Sequence, residues 1–291
     1  MTLVLLALAT LALSGTVCQS LRRAAEARAA QRQLQRSWGT LSCQRTLLPL
    51  TEQILAAAES GARWTGQAPV SVRRSVQLGE LRFELIFADE QAKANAGALV
   101  QRRGKDESQR LLHALLAGSP MAARLQLRPL QPLRDPAPSP LLALIGSFGQ
   151  VVDAADPALL LEDNPPTPSV ADQLSCWGDG RLNWRRASPE VMRILLCPPL
   201  DLGQVQQLIR LRTTELDPDQ AERTRARVTL VSALDQLQLS QSQRAFAQAW
   251  LREGSGCHSL WIIARSPRRS WYRLAVAPAA GGHRQAEVFE W

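Results

Sequence analysis

Residues Cys176–Glu190 read C-W-G-D-G-R-L-N-W-R-R-A-S-P-E, and they combine a turn with the start of a helix. Gly178-Asp179-Gly180 predicts a turn, because glycine tolerates positive φ and Asp can bond its own backbone. Asn183 follows, where its amide can satisfy backbone groups that no ladder pairs. Ser188-Pro189-Glu190 then predicts a helix start, with Ser as N-cap, Pro at the first position and an acid in the first turn.

A fainter copy of this unit lies upstream in the chain. Ala92–Ala98 aligns with Gly180–Arg186, and each segment places a base two residues before an Asn, which is Asn95 in the first and Asn183 in the second. Helical pattern follows both copies. Acidic turn residues precede both copies, namely Asp89, Glu90 and Asp179. The sequence therefore predicts two related turn-to-helix units.

Length and composition limit the function classes. A chain of 291 residues can form two domains, or one with a tail, and an apolar content of 45% supports a sizeable core. The net charge of +8 is carried almost entirely by Arg. A solvated Arg-rich surface explains this charge most simply, and nucleic-acid binding is the alternative. Five Cys show no C-x-x-C or zinc-like spacing, and there are only three His. No nucleophile–base or paired-carboxylate arrangement stands out, so the sequence indicates no active site and we expect no enzyme.

Residues 1–21 carry no charge and are mostly Leu, Ala, Val and Thr. As a helix they would span roughly 31 Å, enough for a bilayer core, so we expect a transmembrane helix. A cleaved signal peptide is the alternative, although no basic region precedes the apolar run and no clear cleavage site follows it. The residues that follow the span are basic, with arginines at 22, 23, 28, 32 and 36. By the positive-inside rule, these arginines favour a cytoplasmic location for the part of the chain after the span.

A polar stalk helix is predicted over residues 22–60, because the stretch after Leu21 is rich in Ala, Gln and Arg. We expect this helix to break at Trp38-Gly39 and to bend or restart at Pro49.

Strand pattern occurs on both sides of a long helical block. Residues 61–88 contain two predicted strands, the second with Leu81, Phe83, Leu85 and Phe87 on one face. Residues 257–291 contain three more. Residues 89–256 read as helices, including one over residues 140–153, with a Pro-rich seam near 154–171. The two sets of strands would pair most simply if the helical block is inserted into one sheet.

The pieces in this order resemble general secretion pathway protein K, a minor pseudopilin family of bacterial type II secretion. The resemblance rests on L-R-F-E-L-I-F-A-D-E-Q-A-K-A-N at Leu81–Asn95 and W-G-D-G-R-L-N-W-R-R-A-S-P-E-V at Trp177–Val191. The family pattern N-x-N-T-A is matched at Asn183 and Ala187, while Arg185 stands where the family has a second Asn. The resemblance implies an α+β fold: a pilin-like long N-terminal helix and a small antiparallel sheet, with a large helical domain inserted between strands.

The same resemblance implies a role and a location. Such a protein stands at the tip of the pseudopilus with I- and J-type minor pseudopilins, and residues 1–21 hold it in the inner membrane as a single-pass protein with the bulk of the chain in the periplasm. It needs no cofactor and binds no nucleic acid. Some members bind calcium in the helical domain, which makes Glu215, Asp217 and Asp219 weak candidate ligands here. Helix capping by Asp217-Pro218 explains the same residues without a metal.

The competing class is a periplasmic helical binding module that a cleaved signal peptide exports. Asn183–Arg212 resembles a helix-hairpin-helix, a motif that often binds DNA phosphates through backbone N–H groups. In this hairpin, Cys197–Gly203, two prolines remove donors and Asp201 repels an anion. We therefore expect protein packing from the hairpin and no phosphate binding.

Two further expectations concern the cysteines and Asn183. Cys18 lies in the apolar span, whereas Cys43, Cys176, Cys197 and Cys257 would meet an oxidising compartment and should pair or be buried. Four cysteines allow three connectivities, of which we favour Cys176 with Cys197, because they bracket the central motif. Asn183 should be buried and bonded to backbone of the preceding turn.

Overall fold

The computed structural model describes residues 2–61, 69–117, 119, 145–152, 156–162, 168–214, 228–266, 269–278 and 286–291. The chain begins with helix α1 (Thr2–Leu47), continues through one 3-10 turn (Leu48–Leu50) and enters α2 (Thr51–Gly61). The 3-10 turn contains Pro49, where the sequence predicts a bend.

The predicted break at Trp38-Gly39 is wrong, because α1 runs through it without interruption. Gly39 faces the sheet, and a Cβ there would lie 2.5 Å from Phe83 Cζ. The glycine therefore lets the helix backbone approach a buried aromatic ring and does not end the helix.

Two strands follow the helices, β1 (Ser71–Leu78) and β2 (Leu81–Asp89). A 3-10 turn (Glu90–Ala92) then leads into the inserted block. Its regular elements are β3 (Ala94–Asn95), α3 (Ala96–Arg103), α4 (Lys105–Leu115), a 3-10 turn (Phe148–Gln150), α5 (Ala158–Leu161), α6 (Val170–Gln173), β4 (Leu174–Ser175), β5 (Leu182–Asn183), α7 (Pro189–Leu196), α8 (Leu202–Thr214), α9 (Leu230–Gln236), α10 (Gln241–Trp250) and β6 (Leu251–Arg252). Three strands complete the chain: β7 (Cys257–Arg265), β8 (Ser270–Pro278) and β9 (Glu287–Glu290).

Strands from both ends of the insertion form one antiparallel sheet of five strands, in the order β1-β2-β7-β8-β9. At its centre Phe83 is opposite Ala264 and Phe87 is opposite Leu260. The sheet packs against the C-terminal half of α1, as expected. The predicted α+β class, with helices inserted between adjacent strands of a small sheet, is confirmed.

The two faces of the sheet bury different cores, because side chains alternate along each strand. One face packs on α1 and the following turn, through Cys43, Leu48, Leu81, Phe83, Leu85, Phe87, Leu260, Ile262, Ala264 and Ala275. The other face contributes Ile86, Trp261, Ile263, Leu274 and Val276 to the larger core of the inserted block. The sheet is thus the layer between the stalk and the helical block.

The helix predicted over residues 140–153 is not found in the part that the structure describes, residues 145–152. That part contains only the 3-10 turn Phe148–Gln150, flanked by Gly146 and with Gly149 inside it. Phe148 is buried against Trp177 and Trp261. Two glycines within a short stretch weaken a helix, and the burial of one aromatic ring fixes the local path instead.

Candidate functional site

The end of β2 enters a buried polar network that joins the sheet, the stalk and the inserted block. Asp89 is fully buried, and its Oδ1 accepts a hydrogen bond from the Gln91 backbone N–H at 2.9 Å. Its Oδ2 accepts one from Asn183 Nδ2 at 2.7 Å. Asn183 Oδ1 accepts from the Arg185 N–H at 3.2 Å. Asn183 is therefore buried, as expected. Its amide N–H donates to the Asp89 side chain of the first motif, and not to the backbone of the preceding turn as the sequence predicts.

Arg186 is the centre of the same network. Its guanidinium donates two hydrogen bonds to Glu52, at 2.6 and 2.9 Å, and another to Glu59. Asp89 Oδ2 lies 3.5 Å from Arg186 Nη1. Both glutamates are on α2, so one arginine of the inserted block binds the stalk and the end of β2 together. His258 Nε2, at the start of β7, lies 2.9 Å from Glu52 Oε2.

These contacts shift two pKa values in opposite directions. Burial alone would raise the pKa of Glu52, but hydrogen bonds with His258 and Arg186 and their charges outweigh burial and lower the pKa to about 2. Burial alone would lower the pKa of Arg186, but hydrogen bonds to Glu52 and Glu59 raise it above its ordinary value. Both groups therefore remain charged at neutral pH.

A second buried group surrounds Glu90. Lys93 Nζ lies 2.5 Å from Glu90 Oε1, and both side chains are 1% exposed. Ser175 donates to Glu90 Oε2 at 2.6 Å, and Ser259 donates to Oε1 at 2.5 Å. A buried ion pair needs further hydrogen bonds to offset the loss of water, and the two hydroxyls supply them to the Glu90 carboxylate. This group fastens the first motif to β4 and β7.

The two turn-to-helix units meet directly. Gln91 of the first unit donates to Asp179 of the second, and its Oε1 accepts from the Gly256 backbone N–H. Asn95 donates to the Trp177 carbonyl at 2.8 Å. Gly178 and Gly180 both have positive φ, of 95° and 75°. A Cβ at Gly180 would lie 2.4 Å from Ala98 Cβ, so this turn needs glycine for space as well as conformation.

The internal similarity of the sequence has a structural counterpart. Asn95 and Asn183 each end a strand of two residues, β3 and β5, and each strand makes a parallel pair, with β4 and β6 respectively. The two units differ in how the next helix is capped. Asn95 Oδ1 caps α3 through the Ala98 N–H at 2.8 Å, whereas Ser188 caps α7 through the Val191 N–H at 3.1 Å, with Pro189 at the first helical position.

The hairpin between α7 and α8 is held by protein contacts. Asp201 Oδ1 accepts from the Gln204 N–H at 2.7 Å and so satisfies one of the free N–H groups in the first turn of α8. Arg212, buried at the far end of α8, donates to the carbonyls of Trp184 and Ala187 at 2.7 and 2.6 Å. Burial lowers the pKa of Arg212 to about 10. These contacts agree with the expectation of a packing role for the hairpin.

The predicted pairing of Cys176 with Cys197 is wrong, because all five cysteines are free thiols. Cys176 is buried beside the Glu90 group, and burial raises its pKa with a further contribution from the Glu90 charge. Cys197 is only partly buried at the C-cap of α7. The two thiols lie in different surroundings, although both flank the motif in sequence. Cys43 and Cys257 are buried, and burial raises the pKa of each.

A polar cleft of about 280 Å³ opens above Arg186, between α2 and the inserted block. Carboxylates and guanidinium groups line it. Arg186 binds both α2 glutamates, whereas Arg185 donates to the Val228 carbonyl and Glu253 accepts from the Leu230 N–H. The lining residues of the cleft are Glu52, Glu59, Asn183, Arg185, Arg186, Thr229, Glu253 and Gly254. Within the described residues, no group of three or more His, Cys, Asp or Glu side chains is placed to hold a metal ion. Glu215, Asp217 and Asp219 lie outside those residues.

Sequence reasoning missed the residues that complete the network. Glu52 and Glu59 look like ordinary exposed acids of an Ala-rich helix, and His258 looks like a strand residue. Arg186 lies inside the quoted motif, beside Arg185, and only its burial distinguishes it. The one signal in the sequence is that Arg185 and Arg186 stand between Trp184 and Ala187, two residue types that are often buried.

Comparison with protein-family models finds no match, and comparison with curated proteins finds none either. Among solved structures, the chain is similar to one described as the crystal structure of the GspK-GspI-GspJ complex from the enterotoxigenic Escherichia coli type 2 secretion system. The similarity covers 91% of this chain and 98% of that chain, at 14% sequence identity and a TM-score of 0.37.

Proposed function

We propose that this protein is a minor pseudopilin of a type II secretion system, a membrane-anchored assembly subunit at the tip of the pseudopilus. The observation that carries the proposal is the first helix. An uncharged apolar segment and the polar stalk form one continuous helix, and the sheet packs only on the C-terminal half. A helical block inserted between the central strands matches the arrangement that the resemblance implies.

The apolar half of α1 supports the anchoring role. It is long and apolar enough to cross a membrane, and none of its most hydrophobic window is buried within the chain. Leu3 is 82% exposed and Leu13 is 69% exposed. Leucines so exposed to water would be unfavourable by roughly 1.5–3 kcal/mol each relative to burial, so an apolar environment around them is expected. We propose that this environment is the bacterial inner membrane, with the rest of the chain in the periplasm. The arginines after the span favour the opposite side, but the positive-inside rule weakens for long translocated domains, so the periplasmic placement rests on the resemblance.

The stalk offers a surface for partner helices. Leu34, Trp38 and Leu41 have a three–four spacing on the side of α1 that does not face the sheet, and Trp38 is 68% exposed. Such a stripe packs well against another apolar helix. We propose that the I- and J-type minor pseudopilins contact it, and that the role needs neither a catalytic residue nor a cofactor.

Membrane extraction and co-purification test this function. The intact mass of the membrane-extracted protein should include the apolar segment, and the I- and J-type proteins of the same host should co-purify with it. Leu34→Glu with Trp38→Glu should abolish co-purification. Leu202→Glu with Val231→Glu, which changes two exposed apolar residues of the inserted block, is the matched control and should retain it.

Two results would contradict the proposal. A soluble periplasmic protein that has lost its first ~20 residues would favour the signal-peptide alternative. If the protein is anchored in the membrane but binds neither the I-type nor the J-type protein, it is not a subunit of the pseudopilus.

A further inference from the structure

We infer that the groove between α1 and the outer strands of the sheet binds a carboxylate-bearing segment of a partner polypeptide. The groove has a volume of about 120 Å³. We call it the basic groove; the residues that matter are Arg36, Ser37, Thr40, Trp271, Arg273 and Glu290, with Arg269 beside it.

Two cations share one aromatic ring at this groove. The guanidinium carbon of Arg36 lies 4.6 Å from the centre of the Trp271 ring, and that of Arg269 lies 5.7 Å from it. Stacking on an indole leaves the edge N–H groups of a guanidinium open to a further acceptor. Neither side chain has an ion-pair partner among the residues that the structure describes. Both guanidinium carbons therefore lie within about 6 Å of one ring centre without a carboxylate of the described residues to balance either charge, so an anion that reaches these cations is favourable.

Glu290, the acidic side chain that lines the groove, cannot fill this role. Glu290 is bound to Arg273, which also donates to Gln44 Oε1 at 2.9 Å. Arg273 is therefore neutralised and held against α1. Ser37 is exposed beside the unpaired Arg36 and offers a hydroxyl to an incoming carboxylate.

The position of the groove favours a polypeptide over a lipid headgroup. Arg36 is fifteen residues beyond Leu21, where the apolar segment ends, which places it about 22 Å along the helix from that point. Charges exposed to water are largely screened beyond about 8 Å at physiological ionic strength. A phosphate at the bilayer surface would thus lie too far away. Trp and Arg together are the residues enriched at the energetic centres of protein interfaces.

A binding assay with the full chain in nanodiscs of zwitterionic lipid tests the inference. The probe is a short fluorescent polyglutamate peptide, followed by anisotropy at two salt concentrations. Arg36→Gln with Arg269→Gln should weaken binding at least about tenfold, because both cations that would bind the carboxylate are removed. Arg23→Gln with Arg45→Gln removes the same net charge from exposed positions of α1 and should leave binding unchanged.

Each alternative outcome overturns the inference. Equal weakening in both double variants would mean non-specific attraction by net charge, and equal binding of a polyglutamine peptide would exclude carboxylate recognition. Binding of inorganic phosphate without polyglutamate would make the groove a phosphate site. If phosphatidylglycerol added to the disc reduces peptide binding by the wild type but not by Arg36→Gln/Arg269→Gln, the groove binds a lipid headgroup. Thermal melting of each variant shows that it remains folded.

The inference adds partner chemistry to the proposed assembly role and rests on that role for its biological setting. The assay contains no other secretion protein, so a failure of peptide binding is distinguishable from a failure of the chain to join a pseudopilus.

Discussion

Replacement of Lys93 by Met should destabilise the protein strongly. Met keeps the length and apolar stem of the side chain, so the change removes the charge with little change in packing. Glu90 would then be a carboxylate that is 1% exposed, with only the hydroxyls of Ser175 and Ser259 as hydrogen-bond donors. Removal of one member of a buried ion pair costs about 3–5 kcal/mol, and two remaining donors place the expected loss near the lower end, about 3 kcal/mol.

A double-mutant cycle separates the pair from its surroundings. Glu90→Gln alone leaves a buried ammonium and should cost a similar amount. The combined Lys93→Met/Glu90→Gln variant buries no charge, while the Gln carbonyl still accepts from a hydroxyl. It should therefore lie within about 2 kcal/mol of the wild type. Denaturant unfolding followed by Trp fluorescence measures each free energy of unfolding, and Lys105→Met, at an exposed position that begins α4, is the control.

A loss of less than about 1 kcal/mol in Lys93→Met, which is the range of an exposed ion pair, would refute the role assigned to this buried pair. A double variant as unstable as the sum of the single variants would refute it too, because the two residues would then act independently.

Three further predictions concern the stalk and the network. Glu52 has a pKa of about 2 in the folded chain, below its ordinary value of 4.5, so its contribution to stability is present above pH 4.5 and is lost as the pH falls towards 2. Glu52→Gln should flatten an acid-unfolding curve over this range, and an unchanged curve would contradict the contact with Arg186. Gly39→Val should cost about 1–3 kcal/mol, because its Cβ would lie 2.5 Å from Phe83 Cζ, whereas Gly15→Val, with nothing within 4 Å, should cause no comparable loss of thermal stability. Asn183→Ala should cost about 1–3 kcal/mol in denaturant, since Asp89 would lose a buried donor; wild-type stability with failed assembly would make Asn183 a contact residue instead.

The sheet and its insertion could be predicted because their signals are local. Alternating apolar residues from Leu81 to Phe87 define one buried face within seven positions, and the strands after Gly256 have the same short-range pattern. The helix start at Ser188 is equally local, because the N-cap and the group that it binds are three residues apart.

The network could not be predicted, because its partners are distant in the chain. Arg186 binds Glu52 and Glu59 across 134 and 127 positions, and no pattern around an exposed-looking glutamate identifies a partner so far away. The role of Gly39 could not be predicted for the same reason, because it depends on a residue far away in the chain. A glycine in a helical stretch predicts a break, and only the position of Phe83 reveals that it provides space.

The insertion between β2 and β7 has a consequence for the order in which the protein folds. Glu90 and Ser259, which meet at the end of this central strand pair, are 169 positions apart, so the pairing closes a very long loop. As the chain emerges from its amino end, β1 and β2 can form a hairpin early, but the other edge of β2 stays unpaired until β7 arrives. During that interval the backbone of this edge can pair with a strand of another chain. The apolar side chains of Phe83, Leu85 and Phe87 are also exposed, which favours aggregation. A slow final step in refolding, accelerated when the inserted block is already formed, is the kinetic signature that this topology predicts.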